Sequence, residues 1–141
     1  MWWRTKGGFT LIELLVVIAV ISVLASLIGP MVFRNVGDAK VAAAQAQIEL
    51  LGLALDQYRL DNDYYPSTEQ GLQALWSAPT GDPAPRNWRG PYLRKPVPLD
   101  PWDHPYAYAS PGTEHAESYD LVSHGRDGQP GGQGEDADIQ R

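Results

Sequence analysis

The residues best suited to chemistry are carboxylates in the stretch S-H-G-R-D-G-Q-P-G-G-Q-G-E-D-A-D-I, residues 123–139. Asp127, Asp136 and Asp138 stand there among five glycines, with Glu135 as a fourth acid. Hard cations such as Ca²⁺ bind about six to eight oxygens, usually carboxylates mixed with backbone carbonyls, and glycine lets the backbone turn its carbonyls inward. On composition alone, a structural cation site and a solvated acidic tail are equally good interpretations.

The other chemically capable residues do not have the spacing of an active site. His104, His115 and His124 stand in loop-like contexts, not at the i, i+4 spacing of a zinc pair on a helix. Asp100 and Asp103 resemble the carboxylate pair of a glycosidase, but an Asp before Pro more often caps a turn. No nucleophile stands beside a base. The sequence therefore predicts a protein that is not an enzyme.

A single carboxylate, Glu13, interrupts an apolar run over residues 9–28. At about 1.5 Å per residue, a helix of that length spans the roughly 30 Å hydrocarbon core of a membrane. A carboxylate inside the membrane costs about 2.5 to 3.5 kcal/mol on insertion scales, so it is rarely left without a partner. Glu13 therefore either reaches toward the near interface or pairs with a cation.

The segment before this run is basic and ends in a glycine pair. Arg4 and Lys6 predict, by the positive-inside rule, that the N-terminus stays in the cytoplasm and that the rest of the chain lies outside. A secretory signal has its small residues after the apolar core, whereas here Gly8 precedes it. Cleavage after Gly8 would keep the helix and leave a new amino group on Phe9, one helical turn from Glu13.

The stretch K-G-G-F-T-L-I-E-L-L-V-V-I resembles the leader of type IV pilins and of the pseudopilins of type II secretion. The resemblance implies that a prepilin peptidase cleaves between Gly8 and Phe9 and methylates the new amino terminus. It also implies that Glu13 meets the amino terminus of a neighbouring subunit during assembly. Pro30 stands where this superfamily commonly carries proline, and it either kinks the helix or marks the exit from the membrane.

Apolar residues recur at helical spacing along residues 30–61. One stripe, with steps of three or four residues, consists of Val41, Ala44, Ile48, Leu51, Leu55 and Tyr58. Leu50, Leu53 and Leu60 form a second apolar patch, which either joins an intramolecular core or packs on other copies of the chain. The sequence predicts an amphipathic stem helix that continues the membrane helix.

Residues 62–141 are predicted to form a small head. The stretch S-T-E-Q-G-L-Q-A-L-W predicts a short helix near Ser67, and antiparallel strands are predicted at residues 105–109 and 119–123. The proline-rich connection over residues 79–105 predicts an ordered loop pinned by its aromatic residues. The chain has no cysteine to form a disulfide, and its net charge of −6 argues against a nucleic-acid partner.

The stretch Y-P-S-T-E-Q-G-L-Q-A-L, with D-P-W and P-Y-A-Y downstream, looks like the major pseudopilins of type II secretion. That resemblance implies a type IV pilin-like α+β fold with two or three antiparallel strands, and a structural Ca²⁺ in the loop 123–139. The implied ligands are Asp127, Asp136 and Asp138, with backbone oxygens of Ser123 and His124. The chain departs from the family at His104, where a small residue usually follows D-P-W.

These features predict a structural subunit of the pseudopilus, the filament that drives export of folded proteins. The predicted order is a cleaved leader 1–8, a transmembrane and assembly helix 9–29, a stem 30–61 and a head 62–141. The implied partners are other copies, minor pseudopilins, prepilin peptidase, the inner-membrane assembly platform, the outer-membrane secretin and membrane lipid. A single-pass location in a bacterial inner membrane, with a periplasmic head, is expected. A type IV pilin or a minor pseudopilin of a related filament is the alternative.

Overall fold

The computed structural model describes residues 8–141, with Pro30 described by its backbone alone. The basic residues Arg4 and Lys6 of the predicted leader lie outside the described residues. The chain comprises two compact units, Met1–Gly37 and Asp38–Arg141. Helix α1, Leu11–Asn62, contributes to both, which confirms the predicted long N-terminal helix. The helix assignment continues through Gly29 and Pro30, so the isolated chain has no break there.

In the second unit, one face of helix α1 forms the core predicted from its spacing. Ala44, Ile48, Leu51, Leu55 and Tyr58 are buried, and Val41 packs partly against them. The patch of Leu50, Leu53 and Leu60 is different, since its side chains keep 63%, 61% and 78% of their exposure. The chain's own head therefore leaves this second apolar patch uncovered.

Three short antiparallel strands form one sheet. They are β1 (Ala107–Ala109), β2 (Asp120–Ser123) and β3 (Ile139–Gln140), and they lie in that order across the sheet. Tyr108 pairs with Leu121 between the first two strands, and Ser123 pairs with Ile139 between the last two. Leu121, Ser123 and Ile139 are buried. The predicted sheet is confirmed, although both predicted strands begin one or two residues later than expected.

The short helix predicted near Ser67 is instead a turn followed by a 3₁₀ helix, Leu72–Leu75. Ser67 and Gln70 do form the reciprocal capping pair, with the Ser67 amide donating to Gln70 Oε1 at 3.1 Å and the Gln70 amide to Ser67 Oγ at 3.3 Å. Gly71 then adopts φ +59°, a left-handed conformation that ends the turn. The capping signal was correct, but its helix stops after one turn.

The proline-rich connection is ordered by polar contacts of its aromatic residues, as predicted. Trp88 Nε1 donates to the carbonyl oxygen of Ala74 at 3.0 Å. The Tyr92 hydroxyl donates to Asp61 Oδ2 at 3.0 Å, and the Arg89 amide donates to that hydroxyl at the same distance. The connection is thus fastened to the end of helix α1 and to the 3₁₀ helix.

Ionisation of the buried tyrosines should make the head sensitive to alkali. Burial raises the pKa of Tyr58 to about 12, whereas an unfolded tyrosine ionises near pH 10. The stabilisation is therefore complete below about pH 10 and is lost as pH rises toward 12. Because Tyr58 Oη has no hydrogen-bond partner among the described residues, Tyr58→Phe should keep its stability at neutral pH and lose less of it in alkali. Urea unfolding at neutral pH and near pH 12, followed by near-ultraviolet circular dichroism, measures the stability of both chains.

Tyr106→Phe is the matched control for that measurement. Burial also raises the pKa of Tyr106 to about 12, but its hydroxyl donates to Gln47 Oε1. This variant should therefore lose stability already at neutral pH, by about 1 kcal/mol for the lost hydrogen bond. An equal alkaline loss in wild type and Tyr58→Phe would contradict the explanation.

Candidate functional site

The start of helix α1 holds the only acidic side chain of its first turn, Glu13. The Glu13 amide donates to Thr10 Oγ1 at 3.3 Å, and the Leu14 amide donates to the Thr10 carbonyl oxygen at 3.2 Å. Thr10 is therefore the N-cap and Glu13 the third helical residue, which is the T-x-x-E pattern of a capping box. This helix start was not predicted from the sequence, although the pattern T-L-I-E is visible there.

Gly8 and Phe9 precede helix α1 and are accessible. A Cβ added to Gly8 would meet no atom within 4 Å, and the Phe9 side chain is 84% exposed. Packing among the described residues therefore does not require a glycine at position 8. After Phe9, helix α1 contains a segment long and apolar enough to cross a membrane, and none of that segment is buried among the described residues.

In the acidic loop, residues 123–139, the carboxylates of Asp127 and Asp138 accept hydrogen bonds from different residues. Asp138 Oδ1 accepts from His124 Nδ1 at 2.9 Å, and its Oδ2 accepts from the Gly131 amide at 2.9 Å. These two hydrogen bonds lower the pKa of Asp138, so the carboxylate is ionised at neutral pH. Asp127 is exposed, and its Oδ1 accepts from the Gln129 amide at 3.0 Å.

Asp136 is occupied by an arginine of the same loop. Arg126 donates from Nε to Asp136 Oδ1 at 2.8 Å and from Nη2 to Asp136 Oδ2 at 2.9 Å. Its Nη1 also lies 3.9 Å from Glu135 Oε1, and its amide donates to the Glu135 carbonyl oxygen at 2.8 Å. These acids raise the pKa of Arg126. This pair was not predicted from the sequence, because the two residues are ten positions apart and no motif links them.

Two glycines bring the two ends of the loop together. Gly125 has φ +61°, and a Cβ there would lie 2.9 Å from the Ala137 carbonyl oxygen. Gly132 has φ +88°, and a Cβ there would clash with the Asp136 carbonyl oxygen. Both positions combine a left-handed backbone with a close approach, so each requires glycine. As a result, the carbonyl oxygens of Asp136 and Ala137 approach these two glycines closely.

The oxygen atoms of the acidic loop have the chemistry that a hard cation requires, but they are not arranged around one point. Carboxylates and glycine-gathered carbonyls are the oxygen ligands that Ca²⁺ takes. Within residues 8–141, however, no three carboxylate or imidazole groups lie together as a set able to hold a metal ion. Asp136 faces Arg126 and Asp138 faces His124, so the predicted acids are close in the chain but engaged with different partners.

The pair Asp100 and Asp103, weighed above as catalytic carboxylates, has the turn-capping geometry. Asp100 is 4% exposed; its Oδ1 accepts from the amides of Trp102 and His104 at 3.0 and 2.9 Å, and its Oδ2 accepts from Ser123 Oγ at 2.6 Å. Asp103 is exposed on that turn with φ +67°. We therefore assign Asp100 to the architecture of the head.

His104, where the chain departs from the family pattern, joins this corner to the acidic loop. Its Nδ1 lies 3.1 Å from the Gly125 carbonyl oxygen. The ring also covers Gly128, where an added Cβ would come within 3.1 Å of it. The larger residue is accommodated because the loop offers a glycine opposite it.

Comparison with known proteins gives consistent matches along the chain. The sequence model described as Type II secretion system (T2SS), protein G matches residues 31–141, and that of the Prokaryotic N-terminal methylation motif matches residues 3–29. The type II secretion system core protein G of Pseudomonas aeruginosa is 48% identical over 136 residues, 96% of this chain and 94% of the relative. The protein of the same name from Vibrio cholerae is 44% identical over 137 residues, 96% of this chain and 91% of the relative.

A solved structure shows the same fold. The crystal structure of the major pseudopilin from the type 2 secretion system of enterohaemorrhagic Escherichia coli superposes with a TM-score of 0.64 at 41% sequence identity. The match covers 76% of this chain and 90% of that chain.

Proposed function

Because the chain belongs to the type II secretion system protein G family and is a subunit of the pseudopilus, we propose how its parts serve that filament. Helix α1 anchors the subunit in the inner membrane before assembly and then packs against other copies. The head faces the periplasm, and its acidic loop binds a structural Ca²⁺. The family is one of structural pseudopilins, and the match to the structure of a major pseudopilin favours the major subunit over the alternative of a pilin or minor pseudopilin.

One observation carries the assembly role, namely the apolar surface that the chain leaves uncovered. The residues around Glu13 over positions 9–28 are exposed along the first unit, and Leu50, Leu53 and Leu60 are exposed on the second. Uncovered apolar area of this extent is disfavoured in water. Lipid covers the first region before assembly, and neighbouring subunits cover both regions in the filament.

Processing comes before assembly in this proposal. Prepilin peptidase cleaves between Gly8 and Phe9 and methylates the Phe9 amino group, in keeping with the matched methylation motif. Among the described residues nothing packs against Gly8, and we attribute the glycine to recognition by the peptidase. Cleavage creates a cationic amino group on Phe9, four residues before Glu13. In the filament, this amino group pairs with the Glu13 carboxylate of a neighbouring subunit.

Substitution of Gly8 should separate processing from folding. We expect Gly8→Asp to retain the full precursor mass in cells that contain the peptidase, because a charged side chain occupies the position before the cut. Gly29→Ala is the matched control, since a Cβ there also meets no atom within 4 Å, and it should be processed normally. Intact-mass spectrometry of purified chains measures both, and a mature mass for Gly8→Asp would refute the proposed cleavage position.

The ion is proposed from the donor chemistry of the acidic loop. Asp127 and Asp138 would supply carboxylate oxygens, and main-chain oxygens near Ser123 and His124 would add to them. Asp136 is available only when it is released from Arg126. Since the folded loop would bind the ion and the unfolded chain would not, binding adds to the stability of the head.

Calcium should therefore raise the unfolding temperature of the full-length chain in detergent. At a concentration about 100-fold above the dissociation constant the gain is about 2.7 kcal/mol, or a rise of roughly 10 °C for a domain of this size. Asp127→Ala should reduce the rise, whereas Asp82→Ala, at an exposed position outside the loop, should keep it. Melting curves with excess Ca²⁺ and with EGTA measure the shift, and no shift in wild type would contradict a bound ion.

A further inference from the structure

We infer that Arg126 is the built-in cation of the acidic loop and competes with a metal ion for the same carboxylates. This inference rests on the proposed Ca²⁺ site, and it concerns how that site is regulated. Arg126 holds Asp136 through two parallel hydrogen bonds of 2.8 and 2.9 Å. Bidentate pairing of this kind is the strongest geometry between a guanidinium and a carboxylate.

The Arg126–Asp136 pair joins the two ends of the segment between these residues. Arg126 directly follows Gly125, and Asp136 lies ten residues further along, so the hydrogen bonds close the intervening segment into a ring. The Arg126 amide also donates to the Glu135 carbonyl oxygen at 2.8 Å. The backbone of Arg126 therefore holds Glu135, and its side chain holds the next residue, Asp136.

The charges in this loop are already partly compensated without a metal. Arg126 neutralises Asp136 and lies 3.9 Å from Glu135, while His124 hydrogen-bonds Asp138. Asp127 differs from these three acids, because within residues 8–141 its carboxylate accepts from a backbone amide and from no basic side chain. A chain with this arrangement keeps its loop closed when calcium is scarce.

The same arrangement lowers the affinity for a metal. A divalent cation that takes Asp136 must displace the guanidinium, and a guanidinium left beside the bound ion would repel it. Metal binding therefore breaks the Arg126–Asp136 ion pair, and the free energy of that pair reduces the net free energy of metal binding. The loop is closed by arginine at low calcium and by the ion at high calcium, so the stability of the head varies less with calcium concentration than it would without Arg126.

Thermal unfolding of the full-length chain in detergent, with EGTA and along a calcium titration, tests this inference. Arg126→Ala should unfold at a lower temperature than wild type in EGTA, and its calcium-induced rise should begin at an about two- to fivefold lower calcium concentration. Arg86→Ala removes an arginine from an exposed ion pair with Asp63 outside the loop and should leave the calcium concentration at which the rise begins unchanged. In EGTA, Asp136→Asn should abolish the effect of Arg126→Ala, because the two residues act as a pair.

The outcomes separate this inference from the calcium proposal. If wild type and Arg126→Ala respond to calcium at the same concentration, competition by Arg126 is overturned while the calcium site stands. If neither chain responds at any concentration, both the calcium site and the competition are overturned. A response that appears only in Arg126→Ala supports the inference in its strongest form, in which arginine has taken the place of the ion.

Discussion

Asp100→Ala is expected to unfold at a temperature about 15 °C or more below wild type. Asp100 is buried and accepts hydrogen bonds from two amides and from Ser123 Oγ. Its removal leaves the buried Ser123 hydroxyl and two half-buried amides without their acceptor, at about 1 to 3 kcal/mol each, and we take about 3 to 5 kcal/mol as the net loss. Domains of this size have only about 5 to 15 kcal/mol of stability, so this single side chain supports a large fraction of it.

The effect reaches beyond the D-P-W-D-H-P corner. Ser123 lies at the end of strand β2, and its Oγ also accepts from the Gly125 amide at 3.3 Å. Asp100 thereby fixes the point where the sheet passes into the acidic loop. We expect Asp103→Asn, at an exposed carboxylate on the same turn, to change the unfolding temperature little, because asparagine tolerates the left-handed backbone there. A loss in Asp103→Asn as large as in Asp100→Ala would show that the corner responds to any change of charge.

Glu13→Leu is expected to insert into the membrane normally but to lose most filament assembly. Leucine removes the cost of about 2.5 to 3.5 kcal/mol that a carboxylate pays in the hydrocarbon core, so insertion and membrane retention should not suffer. What is lost is the proposed ion pair between Glu13 and the amino terminus of Phe9 in a neighbouring subunit. In an apolar environment such a pair fixes the register of two helices whose facing surfaces are otherwise apolar.

The capping geometry offers a competing explanation that variants can separate. Glu13 is the third residue of helix α1 after the Thr10 cap, and an acid there also favours the helix dipole. Thr10→Ala removes the cap but keeps the carboxylate, whereas Glu13→Gln keeps the shape but removes the charge. If the carboxylate acts in docking, Glu13→Gln should assemble poorly and Thr10→Ala nearly normally. The opposite order would assign Glu13 to the helix start.

The parts of the fold that follow from local patterns were predictable. The buried stripe of helix α1 repeats every three or four residues, and Ala44, Leu51 and Tyr58 are buried where that spacing requires. The antiparallel strands were visible because turn residues separate two β-prone runs. The 3₁₀ helix was missed because one left-handed residue, Gly71, outweighs a correct capping signal.

The contacts that define the candidate site depend on the path of the chain. Asp100 and Ser123 are 23 residues apart, and Arg126 and Asp136 are ten apart. No periodicity or motif links such positions, so the sequence supplied the acids but not their partners. The third strand, Ile139–Gln140, has two residues, which is too short for a strand pattern to be recognised.

Photo-cross-linking from the uncovered patch of helix α1 tests the central claim most directly. The chain has no cysteine, so Leu53→Cys offers a single attachment point for a photoreactive maleimide at an exposed residue. In membranes that contain the secretion machinery, we predict a ladder extending beyond the dimer, because head-to-tail contacts between identical subunits continue along a helical filament. Adding Glu13→Gln should reduce the ladder to monomer. Monomer alone without that substitution, or an undiminished ladder with it, would contradict a filament subunit that docks through Glu13.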